Sequence, residues 1–245
     1  MNIQPVLAPY RLNDFDPRSL PGLQAFLRAD SFTGLSDGDP IATWSDESGR
    51  GNHFTQGTLA NKPSYKVNRI NGRPSVYFTT DDYLQASTMF MAAPTAWTIY
   101  IVRVARIGSG GALLGAFSYD VIGGWQFIGD GRYASVNDGI GSKTWDTGAF
   151  ADPIWRFFTS KFDGTNIPIR VNGLQVGSQS NSGTYTGFSP MVAVSIGALV
   201  DATLFPPTLN NVLEGEIAEL IMYDKAHSIT QMQLCETYLK KKFAL

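Results

Sequence analysis

Between Ile154 and Val176 the chain alternates apolar and polar residues and is broken twice by turn pairs, Asp163-Gly164 and Asn172-Gly173. Tight antiparallel hairpins need positive φ at their central residues, and Asp-Gly and Asn-Gly tolerate it at little cost. The run Ile154–Phe162, the alternating Ile167, Ile169 and Val171, and the resumption at Leu174 and Val176 therefore predict a three-stranded meander. A period of two cannot line one face of a helix, so this segment commits the chain to sheet.

The same signal recurs along the sequence. Short apolar runs at Leu23–Ala29, Pro74–Phe78, Trp97–Val104, Ala112–Phe117, Trp125–Ile128, Val192–Leu199 and Ile217–Tyr223 predict further strands, with Asn71-Gly72 opening the second of them. Trp97–Val104 is apolar at both alternating sets of positions, which predicts a strand covered on both faces. One helix is expected, at the end. Ser228 with Gln231 has the spacing of a capping box, and Ile229, Met232, Cys235, Leu239 and Phe243 recur at threes and fours along one face. Cys235 falls on that face and reads as a small buried hydrophobe. The fold class that follows is all-β, a two-sheet antiparallel β-sandwich with one C-terminal α-helix.

Composition narrows the functions open to such a fold. Only 16% of the 245 residues are charged, against about 25% in an ordinary domain. The net charge is −2 and the pI about 5.7, so no concentrated positive field is available for nucleic acid or an anionic membrane. Lys240, Lys241 and Lys242 form the one dense basic group and read as the last turn of the helix. No apolar run approaches the roughly 20 residues that span a bilayer, and Met1 to Tyr10 show no secretory signal. With Cys235 as the one cysteine, neither an internal disulfide nor a cysteine metal site is expected. Pro5, Pro9, Pro17 and Pro21 predict an extended arm over residues 1–20, ahead of a single domain over 21–245. The arm lies along its own domain or docks on a neighbouring subunit.

Three segments carry a family resemblance. The first is Trp44-Ser45-Asp46-Glu47-Ser48-Gly49-Arg50-Gly51-Asn52, with Asn71-Gly72-Arg73-Pro74-Ser75-Val76-Tyr77-Phe78 downstream. The second is Asp163-Gly164 followed by Ile169-Arg170-Val171-Asn172-Gly173. The third is Gly215-Glu216-Ile217-Ala218-Glu219-Leu220-Ile221-Met222-Tyr223-Asp224, followed by the helix. In this order, from about Leu20 to the C-terminus, they resemble laminin-G-like, concanavalin A-like jelly-roll domains, especially those of tailed-phage virion proteins and bacterial surface proteins. Physically, Trp44 suits a large core slot, Asp46 can bond the Ser48-Gly49 turn, and Gly215, Glu219 and Tyr223 bound and fill the last strand. These residues read as architecture.

The resemblance implies a non-catalytic virion protein exposed on the particle surface, as a capsid decoration, head-fibre or tail component. Its implied partners are other virion proteins, further copies of itself and cell-surface glycans. A bacterial carbohydrate-binding module is the alternative. A glucanase-type glycosidase is a further one, since Glu214, Glu216 and Glu219 lie on one segment and such enzymes use paired carboxylates. Sugar sites need an aromatic platform beside planar polar groups, and Trp125, Tyr133 and Trp145 lie in a Gly-, Asp- and Asn-rich stretch that fits this need. No cofactor is implied apart from Ca²⁺, which related domains hold at the sandwich rim; Asp81 and Asp82 are the closest acidic pair among the turn residues. His53 and His227 have no catalytic or metal-binding spacing and read as surface histidines.

Overall fold

The computed structural model describes residues 15–79, 81–86, 90–91, 95–105, 112–116, 125–128, 133–137, 142–146, 153–180, 194–201, 208–210 and 213–245. Of residues 105, 112–116, 125–128, 133–137, 142–146, 177–180, 199–201 and 208–210, the backbone alone is described. The strands are β1 (Leu23–Arg28), β2 (Thr43–Trp44), β3 (Phe54–Thr55), β4 (Ser64–Ile70), β5 (Arg73–Phe78), β6 (Leu84–Ala86), β7 (Trp97–Ala105), β8 (Ala112–Ala116) and β9 (Trp125–Ile128). They continue as β10 (Tyr133–Asn137), β11 (Ser142–Asp146), β12 (Arg156–Phe162), β13 (Asn166–Val171), β14 (Leu174–Ser180), β15 (Val194–Ile196), β16 (Leu199–Asp201), β17 (Thr208–Asn210) and β18 (Gly215–Tyr223). The helix α1 spans Ile229–Phe243.

Two antiparallel sheets face each other. The first runs β14-β13-β12-β7-β18-β5-β4, with β1 also paired to β18; the second runs β11-β10-β9-β8-β15-β6-β3-β2. The β12-β13-β14 meander is present. Asn172 and Gly173 have φ of 49° and 83°, as a two-residue hairpin of this hand requires. At Asp163-Gly164 only the glycine has positive φ, at 92°, and Asp163 Oδ1 instead accepts the amides of Thr165 and Asn166. The Asp163 amide donates to Asn166 O at 3.4 Å, which continues the β12–β13 register and makes Gly164-Thr165 the two central residues, one position later than Asp163-Gly164.

Alternation in β7 assigns its two faces to two cores. Trp97, Ile99 and Ile101 pack between the sheets with Val76, Phe78, Leu220 and Met222, against Trp44, Phe54, Leu84 and Ile196 of the second sheet. Tyr100 and Val102 face the other way and join Phe157, Ile221 and Tyr223 beneath Met232, Cys235, Leu239 and Phe243 of α1. Full burial of each such side chain contributes roughly 1.5–3 kcal/mol, so both faces of the first sheet stabilise the fold. The capping box of Ser228 and Gln231 is formed in both directions. Ile229, placed on the buried face by its spacing, is 51% exposed at the first position of the helix, and burial begins with Met232.

Residues 1–14 lie outside the described residues. Of the predicted arm, Pro17–Ser19 form a 3-10 turn with Phe15 and Leu20 in the outer core, and Tyr223 Oη donates to Pro17 O at 2.8 Å.

Candidate functional site

On the outer face of the first sheet, beside the area covered by α1, strands β4, β5 and β18 enclose a cleft of about 440 Å³. Its shape comes from an irregularity in β4. The β4–β5 register shifts between Lys66 and Ile70, and Asn68 has φ of 53°, a conformation asparagine tolerates better than most residues. The bulge leaves Val67, Asn68 and Arg69 exposed, and Asp37 holds it by accepting the Val67 amide at 2.9 Å.

Arg69 then folds across the cleft onto Glu216. Its Nε lies 2.9 Å from Oε2 and its Nη2 2.5 Å from Oε1, a two-pronged pair, and Ser75 Oγ donates to Oε2 at 2.6 Å. The Glu216 carboxylate, by hydrogen bonding and charge, raises the Arg69 guanidinium above its ordinary pKa. Tyr77 is half-buried beside Glu216, its register partner, and Lys66 Nζ sits 5.9 Å from the centre of its ring. One aromatic face is thus ringed by two cations, two carboxylates and the Asn68 amide, with no net formal charge. Such a cleft offers hydrogen bonds in several directions to a polar, uncharged ligand, and its volume lies in the range of roughly 300–1,000 Å³ common for small-molecule sites.

The sequence-derived residues fall in several places. Trp44 is fully buried in the inter-sheet core. The Asp46 carboxylate accepts from the amides of Phe26, Ser48 and Asn52 and from Ser48 Oγ, at 2.6–3.0 Å. Gly49 follows with φ of 83°. Gly215 opens β18 opposite Phe78 and Ala105, and Tyr223 closes it in the outer core. Trp125, Tyr133 and Trp145 belong to β9, β10 and β11 of the second sheet, where Trp125 is register partner to Val136, Trp145 to Ala134 and Tyr133 to Asp146.

Of the acidic segment, Glu216 lines the cleft, whereas Glu219 is fully buried beneath α1. A register shift between Ile217 and Glu219 sets both Ala218 and Glu219 toward the helix side, where Lys242 Nζ meets Glu219 Oε2 at 2.5 Å. Burial pushes the Glu219 carboxyl up to about 7 in spite of that lysine. Glu214 precedes β18 and is half-buried.

Asp82 is buried, and its carboxylate accepts the Thr79 amide and hydroxyl, both at 2.7 Å; Asp81 is exposed and accepts Asn61 Nδ2 at its carbonyl. Among the described residues no three or more His, Cys, Asp or Glu side chains are grouped to hold a metal. No described helix is long and apolar enough to cross a membrane.

The histidine reading needs correction. His53 is half-buried, and its Nδ1 accepts the Asp46 amide at 3.0 Å. His227 is only 1% exposed, with Nδ1 2.7 Å from Tyr100 Oη; burial, aided by Lys161, depresses it to about 4. It is core because its ring packs against Tyr100 and Tyr223 of the outer apolar layer, with ring centres 5.8 and 4.2 Å away. Cys235 is buried, and burial raises its thiol to about 12.

Tyr77, Lys66 and Arg69 were not legible as a site. Tyr77 reads as one more strand aromatic, and the one available signal was the polar run Lys66 to Arg69 in a chain so poor in charge.

No protein-family model matches the sequence, and no curated protein matches it. Solved structures do share its fold. The binding domain of Paraclostridial Mosquitocidal Protein 1 superposes with a TM-score of 0.64 at 13% identity, over 90% of this chain and 52% of that one. Domain 4 of AbnA, a GH43 extracellular arabinanase from Geobacillus stearothermophilus solved with arabinotriose, gives 0.62 at 12% identity, over 87% of this chain and 98% of that domain. Botulinum neurotoxin type C, from a study of its interaction with two ganglioside molecules, gives 0.58 at 11% identity, over 89% of this chain. This chain spans about half the length of the two toxin structures. At such identities the likeness establishes the β-sandwich architecture.

Proposed function

We propose that this chain is a non-catalytic carbohydrate-binding domain, with the cleft between β4, β5 and β18 taking an uncharged saccharide. The observation that carries this reading is Tyr77 framed by Asp37, Lys66, Asn68, Arg69 and Glu216 with charges in balance. Sugars present apolar C–H faces and many hydroxyls, and an aromatic ring beside fixed planar polar groups complements both. The arabinotriose-bound domain and the ganglioside-interacting toxin have the same architecture, which supports the reading. The glycosidase alternative needs an acid and a carboxylate facing one space; Glu219 is enclosed beneath Lys242, and Glu216 is taken by Arg69 and Ser75. The virion setting rests on the sequence resemblance alone, and the solved structures add nothing to it.

A panel of neutral oligosaccharides, titrated against the intact chain and its variants, tests the proposal. Tyr77→Ala is expected to weaken binding about tenfold, equivalent to ~1.4 kcal/mol, with unchanged thermal stability. If Tyr77→Ala binds normally and Trp145→Ala does not, the site belongs to β9–β11. Binding to no neutral saccharide defeats the proposal, and hydrolysis of a bound one defeats its non-catalytic part.

A further inference from the structure

A second concavity lies on the same outer face, where the C-terminal end of α1 meets the segment that leads into β1. Two pockets of about 420 and 260 Å³ share Phe15, Arg28 and Tyr238 and so adjoin along one groove-like surface. Arg18, Arg28, Arg73, Lys241 and Lys242 line it, against Asp16 and Asp30. Glu47, bonded to Arg28, and Glu219, bonded to Lys242, lie behind these cations. Among the described residues five cations therefore meet four carboxylates, in a protein whose overall charge is −2 and which has only 19 Lys and Arg in all. The groove is a local reversal of the molecule's sign.

Two of these cations stand in part-exposed ion pairs. The Arg18–Asp16 pair is 52% and 42% exposed at its side chains, and Arg73–Asp30 is 39% and 24% exposed. Pairs in such positions are worth about 0–1 kcal/mol, so an incoming anion can compete for the guanidinium groups. The helix end does not oppose it strongly. Its carbonyls at Lys242 and Phe243 are already taken by Arg73 Nε and Asn71 Nδ2, at 2.6 and 2.5 Å. Phe15 and Tyr238 pack edge to face, 6.5 Å between ring centres, and give the groove an aromatic wall. A bare ion has no use for that wall or that length, whereas a sugar chain bearing charged groups uses both.

We infer that this groove binds an acidic polysaccharide, its arginines pairing with sulfate or carboxylate substituents while the part-exposed ring of Tyr238, backed by buried Phe15, meets a sugar face. The site is separate from the Tyr77 cleft and would stand if that reading fell.

The test uses the intact chain at about 50 mM salt, where surface charge is only partly screened. Dextran sulfate and polygalacturonate are compared with uncharged dextran and with inorganic sulfate. At least one acidic polymer is expected to bind about tenfold or more tightly than dextran, the weight of one or two charge-assisted hydrogen bonds. The better of the two identifies sulfate or carboxylate as the recognised group. The double variant Arg73→Gln/Lys241→Gln is expected to lose about tenfold in that affinity. Arg18→Gln, which removes an exposed pair while leaving the Arg18 amide on Asp16, is expected to lose about threefold without a change in melting temperature. Lys225→Gln, an exposed cation outside the groove, is expected to bind as the parent does. Tyr77→Ala is expected to leave acidic-polymer binding intact while losing neutral saccharides, which separates the two readings. Equal binding of dextran and dextran sulfate, inorganic sulfate as effective as the polymer, or full affinity in Arg18→Gln and the double variant alike would overturn the inference.

Discussion

Asp46 shows how much one side chain can organise in a chain with few charges. Its two oxygens accept four hydrogen bonds, and one of them, from the Phe26 amide, crosses from the loop to β1. Asn52 continues the network by donating its side-chain amide to Gln24 O at 2.7 Å, and the Glu47 amide donates to Phe26 O at 2.8 Å. The loop that leaves Trp44 in the core is thus fastened to the strand beside it. Asp46→Ala strands three backbone amides in a part-buried region, where each unsatisfied group costs about 1–3 kcal/mol unless water reaches it. We expect a loss of about 3 kcal/mol in urea denaturation, with an unchanged m-value. Asp46→Asn keeps one accepting oxygen and should lose less. Equal stability of the alanine variant and the parent would show that the loop is held by Trp44 alone.

At the scale of elements, the hairpins do more than reverse the chain. Asn71 and Gly72 have φ of 47° and 81°, and Asn71 Nδ2 also reaches Phe243 O, so the β4–β5 turn clips the C-terminal end of α1. The Asn172-Gly173 turn behaves alike: Asn172 Oδ1 accepts the Phe157 amide, and nearby Arg170 pairs with the buried Glu236 of α1. Asn71→Gly keeps the backbone conformation and removes only the clip. It should cost about 1 kcal/mol, the usual net worth of one hydrogen bond, and accelerate amide exchange in the last turn of α1 more than elsewhere. Asn71→Ala should cost more, since alanine pays for positive φ as well. If Asn71→Gly leaves exchange in that turn unchanged, Arg73 alone secures the helix end.

These turns were readable because their chemistry is local, and so was the Ser228–Gln231 cap. Strand β4 was not, because Lys66 to Arg69 show no alternation and the bulge that accommodates them depends on Asp37, about thirty residues earlier. Nor did spacing reveal that the register shift in β18 would turn Glu219 under the helix. Both candidate sites depend on such long-range packing, which is why residues seen only as strand or cap positions line them.

At the scale of the molecule, the low charge content leaves stability against pH sensitive to a few buried groups, and two of them act in opposite directions. Glu219 keeps its proton up to about 7 in the folded chain but releases it near 4.5 when unfolded. Between those values the native state holds more protons, so this group makes stability fall as pH rises. His227 takes its proton only near 4 when folded and near 6.5 when unfolded. Between those values the unfolded state holds more protons, so this group makes stability rise with pH. The windows overlap from about 4.5 to 6.5, where the two slopes largely cancel. Removing either group should expose the other. Relative to the parent, Glu219→Gln should gain stability with rising pH between 5 and 6.5, and His227→Asn should lose it. Each difference should approach about 1.4 kcal/mol per pH unit, the value for one proton. Denaturant titrations at pH 5, 5.75 and 6.5 measure both slopes, and a flat difference for Glu219→Gln would mean that Lys242 keeps this carboxylate ionised throughout.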